Sequence, residues 1–180
     1  MASKPPSVNI IAADESYHRL VQEALDQVTA SPPRWQAAAA QLVLDFPLTW
    51  AMTRMTDMNS VERAKTVVVT QGSHPAYLDM LASHHVSGVV EVGDMRMLVA
   101  GIYAAASSLK TYQWRSGLTY MELRVTRLLL QGLDTAASAD HLRVAQKTVN
   151  AHVSNILSKL GLESRTQYLA ALVAHHPAVP

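Results

Sequence analysis

Cysteine is absent from the 180 residues, which excludes disulfides, zinc–thiolate sites and thiol catalysis. Aromatic residues make up 6% of the chain, with a single Phe, so the core has to be built from Ala, Val, Leu, Ile and Met. Charge is scarce as well: 16% of residues are Asp, Glu, Lys or Arg, against roughly 25% in typical soluble domains. A net charge of +1 is too small to mark a nucleic-acid partner, so any such mark has to be local. No stretch approaches the roughly 18 uninterrupted apolar residues of a membrane span. Met1–Ser7 carries one Lys, two Pro and no apolar run, hence no visible signal peptide. A soluble, cytoplasmic protein without a membrane partner is expected. Gly-rich phosphate loops and Gly-x-Ser-x-Gly elbows are missing, and no enzyme is expected. Eight histidines include the pairs His84-His85 and His175-His176. Helical neighbours point about 100° apart and share an ion poorly, so no metal site is expected.

What is present changes character along the chain. Val8-Asn9-Ile10-Ile11-Ala12-Ala13 reads as a buried strand. Tyr17, Leu20, Val21, Ala24, Leu25 and Val28 recur at helical spacing, and Ser31-Pro32-Pro33 stops that helix. Gln41–Asp45 is a second strand ending in an acid, after which Phe46-Pro47 breaks the pattern. Part of Leu48–Lys65 is helix, with Met52, Met55 and Met58 three apart on a face that packs on the sheet. Thr66-Val67-Val68-Val69-Thr70 is the clearest strand, β-branched throughout. A helix over Ala76–His84, a strand over Ser87–Val92 and a helix over Met95–Ser107 follow. This alternation predicts an α/β fold on a parallel sheet, shortened and flavodoxin-like. Beyond polar Lys110–Gly117 the chain is helical throughout. The expected organisation is a tail over 1–7, an α/β domain over 8–109, a linker over 110–117, an all-α four-helix domain over 118–176 and a tail over 177–180.

In the last third, Val149, Val153, Ile156, Leu157 and Leu160 share one face of a helix over Gln146–Leu160. Its opposite face carries Lys147, Asn150, Ala151, Ser154, Asn155 and Ser158. Such small, polar side chains let a backbone approach the major groove, where Asn and Ser bond base edges or phosphates. Lys147 and the free N–H groups of the first turn attract phosphate, and Lys159 on the flank could reach the DNA backbone. Before this helix, Tyr120–Leu130 buries Val125, Leu128 and Leu129 and ends at Gly132. A second helix runs to Leu142 with Ala136, Ala139 and Leu142 inward. A last helix over Arg165–His175 has the apolar stripe Tyr168, Leu169, Leu172 and Val173.

The runs Leu118-Thr119-Tyr120-Met121-Glu122, Gln131-Gly132-Leu133 and Gln146–Gly161 resemble the LuxR/NarL-type helix-turn-helix, in register from Leu118 to about Val173. The resemblance implies double-stranded DNA as partner, adds Thr148 and His152 to the contact residues, and implies dimerisation through the last-helix stripe. It also exposes departures. Ala145 stands where the family usually has an N-cap Ser, a loss on the order of 1 kcal/mol, and Asn150 stands where it usually has Lys or Arg. Ala137-Ser138-Ala139 replaces a common Glu-Ile-Ala. These imply weaker phosphate attraction and altered specificity.

Beside this module, Val8–Leu109 resembles a degenerate response-regulator receiver domain. The resemblance makes Asp14 and Glu15 candidate Mg²⁺-binding acids, Asp45 a candidate phosphoacceptor and Thr70 the switch hydroxyl. The usual Lys after the last strand is missing, and Glu91 lies there instead, where it would repel a phosphate. Asp45 can equally be a strand-end acid without chemistry. The Asp14-to-Asp45 spacing is roughly ten residues too short for a complete strand and helix, so the second strand or second helix is reduced. Receivers of this kind resemble atypical regulators of biofilm and capsule genes, some of which bind a cyclic dinucleotide. Tyr112-Gln113-Trp114-Arg115 does not have the spacing of their binding motif. No cofactor is therefore expected, Mg²⁺ entering only if Asp45 is phosphorylated, and Trp114 reads as an interdomain anchor. The expected function is a sequence-specific transcription regulator, homodimeric on DNA and controlled by dimerisation, a partner or a ligand rather than by phosphorylation. The alternatives are a co-regulator that heterodimerises with another regulator and binds DNA weakly by itself, and a phosphorylatable receiver using Asp45.

Overall fold

A computed structural model of the chain describes residues 8–28 and 40–174. The tails at 1–7 and 177–180, the helix stop at Ser31-Pro32-Pro33 and the pair His175-His176 lie outside the described residues. In order, the elements are β1 (Val8–Ile11), α1 (Glu15–Val28), β2 (Ala40–Asp45), α2 (Trp50–Thr56), α3 (Ser60–Ala64), β3 (Thr66–Thr70), α4 (Pro75–Ala82), β4 (Gly88–Glu91), α5 (Met95–Ala106), α6 (Tyr120–Leu130), α7 (Thr135–Leu142), α8 (Gln146–Leu160) and α9 (Arg165–Val173). Two compact units result. One holds the described residues up to Gln71 and again from His84 to Tyr112; the other holds Gly72–Ser83 and the described residues from Gln113.

The first unit is a parallel sheet in the order β1-β2-β3-β4. A flavodoxin-like sheet runs 2-1-3-4-5; without its outer second strand it keeps this simple order. Among the described residues α1 alone connects β1 to β2, in agreement with the short Asp14-to-Asp45 spacing. β3 is buried at every position, because β-branched side chains fill both faces of a covered parallel strand. The core joins Leu42 and Leu44 of β2, Val67 and Val69 of β3, Val90 of β4 and Leu98, Ile102 and Ala105 of α5, with Ile10 and Leu25 at its β1 side. Tyr17 of α1 stacks on Phe46 at 5.4 Å between ring centroids. Met52, Met55 and Met58 are all buried, and α2 packs on β2, as their spacing predicts. β1 ends at Ile11 rather than at Ala13. The chain after α5 returns along β4, where Thr111 N–H donates to Ser87 C=O at 2.8 Å. Gly88 permits this approach: a Cβ there would lie 2.6 Å from Thr111 Oγ1.

The second unit contains α6 to α9 and also α4. The sequence reading assigned α4 to a continuous 8–109 domain; in the structure it packs on α6 and α9. The physical reason is its composition. Ala76, Tyr77, Leu78, Met80, Leu81 and Ala82 are all buried, an all-round apolar helix that has to be covered on every side. Asp79 makes the attachment specific. Its carboxylate accepts from the backbone N–H groups of Arg115 at 3.0 and 3.1 Å and of Ser116 at 2.7 Å, and from Ser116 Oγ at 2.5 Å. Trp114, two residues before Ser116, is 60% exposed, so the anchor role read for it is corrected.

α6, α7 and α9 start where the sequence supplies a cap. Thr119 and Glu122 form a capping box on α6, Asp134 accepts from Ala137 N–H at the start of α7, and Ser164 accepts from Gln167 N–H at the start of α9. α8 starts at Ala145 without a side-chain cap, as expected. Gly132, at φ +82°, turns the chain out of α6. The last helix ends at Val173.

The stripe on α9 divides. Tyr168 and Leu172 are fully buried, so both belong to the interior of this unit rather than to a dimer face. The Tyr168 hydroxyl lies 2.7 Å from Thr126 Oγ1, and burial pushes its phenol well above the ordinary range. Leu169 is half-buried and Val173 is 44% exposed. Tyr168→Phe is expected to lower the unfolding free energy by about 1 kcal/mol, the net worth of one buried hydrogen bond. Urea denaturation measures it, and an unchanged midpoint would remove that bond from the account.

Candidate nucleic-acid interface

α7 and α8 form the geometry on which a groove-facing helix depends. α7 ends at Leu142, Arg143 takes a left-handed conformation at φ +56°, and the chain re-enters a helix after Ala145. Val144 N–H donates to Ala139 C=O at 3.0 Å and closes the turn. α8 then packs on α6, α7 and α9. Val149 and Ile156 are fully buried beneath it, and Val153, Leu157 and Leu160 are half-buried beside them. These are the five aliphatic residues of the predicted inner face.

The outer face is open. Lys147, Asn150, Ala151, Ser154, Asn155 and Ser158 are all exposed, while Thr148 and His152 are half-buried at its flanks. The six exposed side chains form a narrow ridge with one cation at its N-terminal end. Such a ridge offers short donors and acceptors and little steric bulk.

Lys159 has a different place from the one read in the sequence. Its Nζ lies 2.7 Å from Glu122 Oε2 and 3.3 Å from Gly117 C=O. It therefore ties the C-terminal end of α8 to the start of α6, and an ammonium neutralised in this way adds little attraction for phosphate. The pairing has a clear cause. Glu122 is 2% exposed and also accepts from Thr119 N–H at 2.6 Å, so a buried carboxylate draws the nearest cation. Burial alone would raise the Glu122 carboxyl, but the bonds from Lys159 and Thr119 outweigh it and hold the group below its usual 4.5.

Two contacts have weaker sequence signals. Arg165 Nη2 donates to Leu133 C=O at 2.6 Å and fastens α9 to the α6–α7 turn. Thr135, the first residue of α7, donates from Oγ1 to Asn150 Oδ1 at 3.4 Å. Arg165 lies in the run that carries the family resemblance, but nothing local pairs it with Leu133 or Thr135 with Asn150; both pairs form only once the helices pack.

The receiver-like residues are brought together in part. Asp45, Thr70 and Glu91 pair in register at the C-terminal ends of β2, β3 and β4, where open α/β sheets bind their ligands. Asp45 is 0% exposed. Its Oδ1 accepts from Ala51 N–H at 2.9 Å and its Oδ2 from Thr70 Oγ1 at 2.9 Å. It thus supplies the cap that Thr49 does not give α2 and spends the switch hydroxyl internally. Asp14 and Glu15 are exposed. Asp14 accepts from the Ser16 side chain and from Ser16 N–H, the latter at 2.7 Å, and these bonds lower its pKa. Among the described residues no three His, Asp or Glu side chains gather as a metal-ligand set.

Residues 116–172 match the model of the luxR family of bacterial regulatory proteins. The chain is 33% identical over 119 residues to the DNA-binding transcriptional activator DevR/DosR of Mycobacterium tuberculosis, covering 63% of this chain and 55% of that protein. It is 38% identical over 64 residues to the spore germination protein GerE of Bacillus subtilis, covering 36% of this chain and 86% of that one. The chain thus spans about half the length of DevR/DosR. Among solved structures, two RcsB dimers bound to two parallel DNAs align with TM-score 0.53 and 18% identity, over 92% of this chain and 98% of theirs. RcsB of Salmonella enterica serovar Typhimurium bound to the promoter rprA with a phosphomimetic aligns with TM-score 0.53 and 15% identity, over 94% and 100%. At these identities the structures establish the fold: a parallel α/β unit followed by an all-helical one.

Lys159→Met is expected to lower the unfolding free energy by about 1–3 kcal/mol near neutral pH, since it leaves a buried carboxylate short of its donor. Glu122 titrates below its usual value when folded. Its stabilisation is therefore complete above that value and is lost as pH falls through the folded-state value. The difference between wild type and variant should accordingly shrink on the acid side. Urea melts at stepped pH measure it; a deficit constant down to pH 3 would assign the loss to packing instead.

Proposed function

The chain belongs, through residues 116–172, to the luxR family of bacterial regulatory proteins, and from that premise we propose that it is a sequence-specific DNA-binding transcription regulator. The single observation that carries the proposal is the exposed ridge of α8 standing on five aliphatic side chains. In the proposed complex the ridge enters the major groove of duplex DNA. Lys147 contacts a phosphate, and Asn150, Ser154 and Asn155 reach base edges. Ala151 gives clearance, and Thr148 and His152 touch the groove walls. Lys159 acts indirectly, by holding α8 on α6 through Glu122.

The role is non-catalytic and cytoplasmic, where DNA is available in a bacterium. The active form is a homodimer, by analogy with the RcsB dimers seen on DNA, and Leu169 and Val173 are the part of the α9 stripe available for contact. Control comes from dimerisation, a partner or a ligand rather than from phosphorylation. The buried Asp45, with both carboxylate oxygens already accepting hydrogen bonds and Glu91 in the same register row on the far side of Thr70, supports that reading. The α/β unit acts as a degenerate receiver without a resident cofactor. A second reading, a co-regulator that needs a heterologous partner, draws support from the uncapped start of α8 and its single free-face lysine. Specific gel shifts by the purified homodimer alone would dismiss it.

Lys147→Ala is expected to reduce the slope of log affinity against log salt by about 0.9, the counterions of one phosphate contact. Binding titrations between 50 and 300 mM salt measure the slope, and an unchanged value would take Lys147 off the phosphate. Incubation with acetyl phosphate and Mg²⁺ is expected to leave the intact mass unchanged. An adduct that disappears in Asp45→Asn would instead establish phosphoryl transfer to Asp45.

A further inference from the structure

We propose that Thr135 is a specificity-determining residue that acts by positioning Asn150. This rests on the reading of α8 as the groove-facing helix and adds to it the way in which one of its side chains is aimed. Thr135 opens α7 and is not needed as its cap, because Asp134 already accepts from Ala137 N–H at 2.8 Å. Its hydroxyl instead crosses to α8 and donates to Asn150 Oδ1 at 3.4 Å. Asn150 is exposed, whereas Thr135 is half-buried and held by the first turn of its helix.

The chemical consequence follows from the two ends of the carboxamide. Adenine is recognised by Asn through both at once: the amide nitrogen donates to N7 and the amide oxygen accepts from the N6 amino group. A hydroxyl holding the oxygen toward α7 turns that acceptor away from the groove and leaves the amide nitrogen leading. With one Oδ1 lone pair taken by Thr135, Asn150 presents its amide N–H groups as the leading contacts. Purine N7, guanine O6 and thymine O4 are the acceptors that the major groove offers to it. The adenine preference expected of an unrestrained Asn is replaced by tolerance of either purine at that position. Thr135 touches no base and acts through Asn150.

The experiment is selection of operator sequences from a randomised duplex library by the full-length protein, followed by competition titrations at the base pair that responds to Asn150→Ala. Wild type should bind adenine and guanine at that pair within about threefold of each other. Thr135→Val keeps the shape and removes the donor, and should raise the preference for adenine by about tenfold, the lower part of the discrimination given by one bidentate pair. Thr135→Ser restores the hydroxyl and should return the wild-type profile. In an Asn150→Ala background Thr135→Val should change nothing. Identical base profiles for wild type and Thr135→Val, strong adenine selectivity in the wild type, or an effect of Thr135→Val that persists without Asn150 would each overturn the proposal. Enrichment of no sequence by the wild type would defeat the DNA-binding reading itself, an outcome distinct from any of these. Equal melting temperatures of Thr135→Val and Thr135→Ser would tie a changed profile to the hydroxyl rather than to partial unfolding.

Discussion

A carboxylate that cannot reach water organises the helical unit. Glu122 completes the capping box of α6 and, through the same oxygen, receives Lys159 from the far end of α8. One buried acid thus determines where α6 begins and where α8 lies on it. The arrangement is demanding, because a buried charge is tolerated only while its donors stay in place. Lys159 reaches the Gly117 carbonyl as well. The chain leading into the helices, the first helix and α8 thus share one cation.

Around that point the remaining fastenings are ordinary and numerous. Val149 and Ile156 give α8 its floor, Arg165 secures the turn after α6, and Thr126 with Tyr168 joins α6 to α9. α4 adds an apolar helix to the same unit and Asp79 anchors it to the backbone of Arg115 and Ser116. The exposed ridge of α8 is made of small polar residues and carries one cation, Lys147, at its N-terminal end.

The α/β unit shows the opposite use of an acid. Asp45 stands at a strand end where a ligand or a phosphoryl group would arrive in a full receiver, yet it caps α2 and accepts the Thr70 hydroxyl. Asp14 and Glu15 remain outside in solvent. At the C-terminal end of this sheet the polar groups of Asp45 and Thr70 satisfy one another.

Much of this was legible in one dimension. The β-branched run at Thr66–Thr70, the methionines at 52, 55 and 58, the five aliphatics of α8 and its six outward residues follow from periodicity, since the repeat of a strand or helix decides which side chains share a face. The missing N-cap at Ala145 and the shortened passage from Asp14 to Asp45 were legible as departures from the families the chain resembles. Tertiary structure alone decided the partners. That Lys159 pairs with Glu122, that Tyr168 and Leu172 turn inward, that α4 joins the C-terminal helices and that Thr135 meets Asn150 all depend on groups brought together across distant stretches of chain. Local spacing carries no information about such encounters; they are settled by which apolar faces must cover one another and which buried polar atoms must then find a donor.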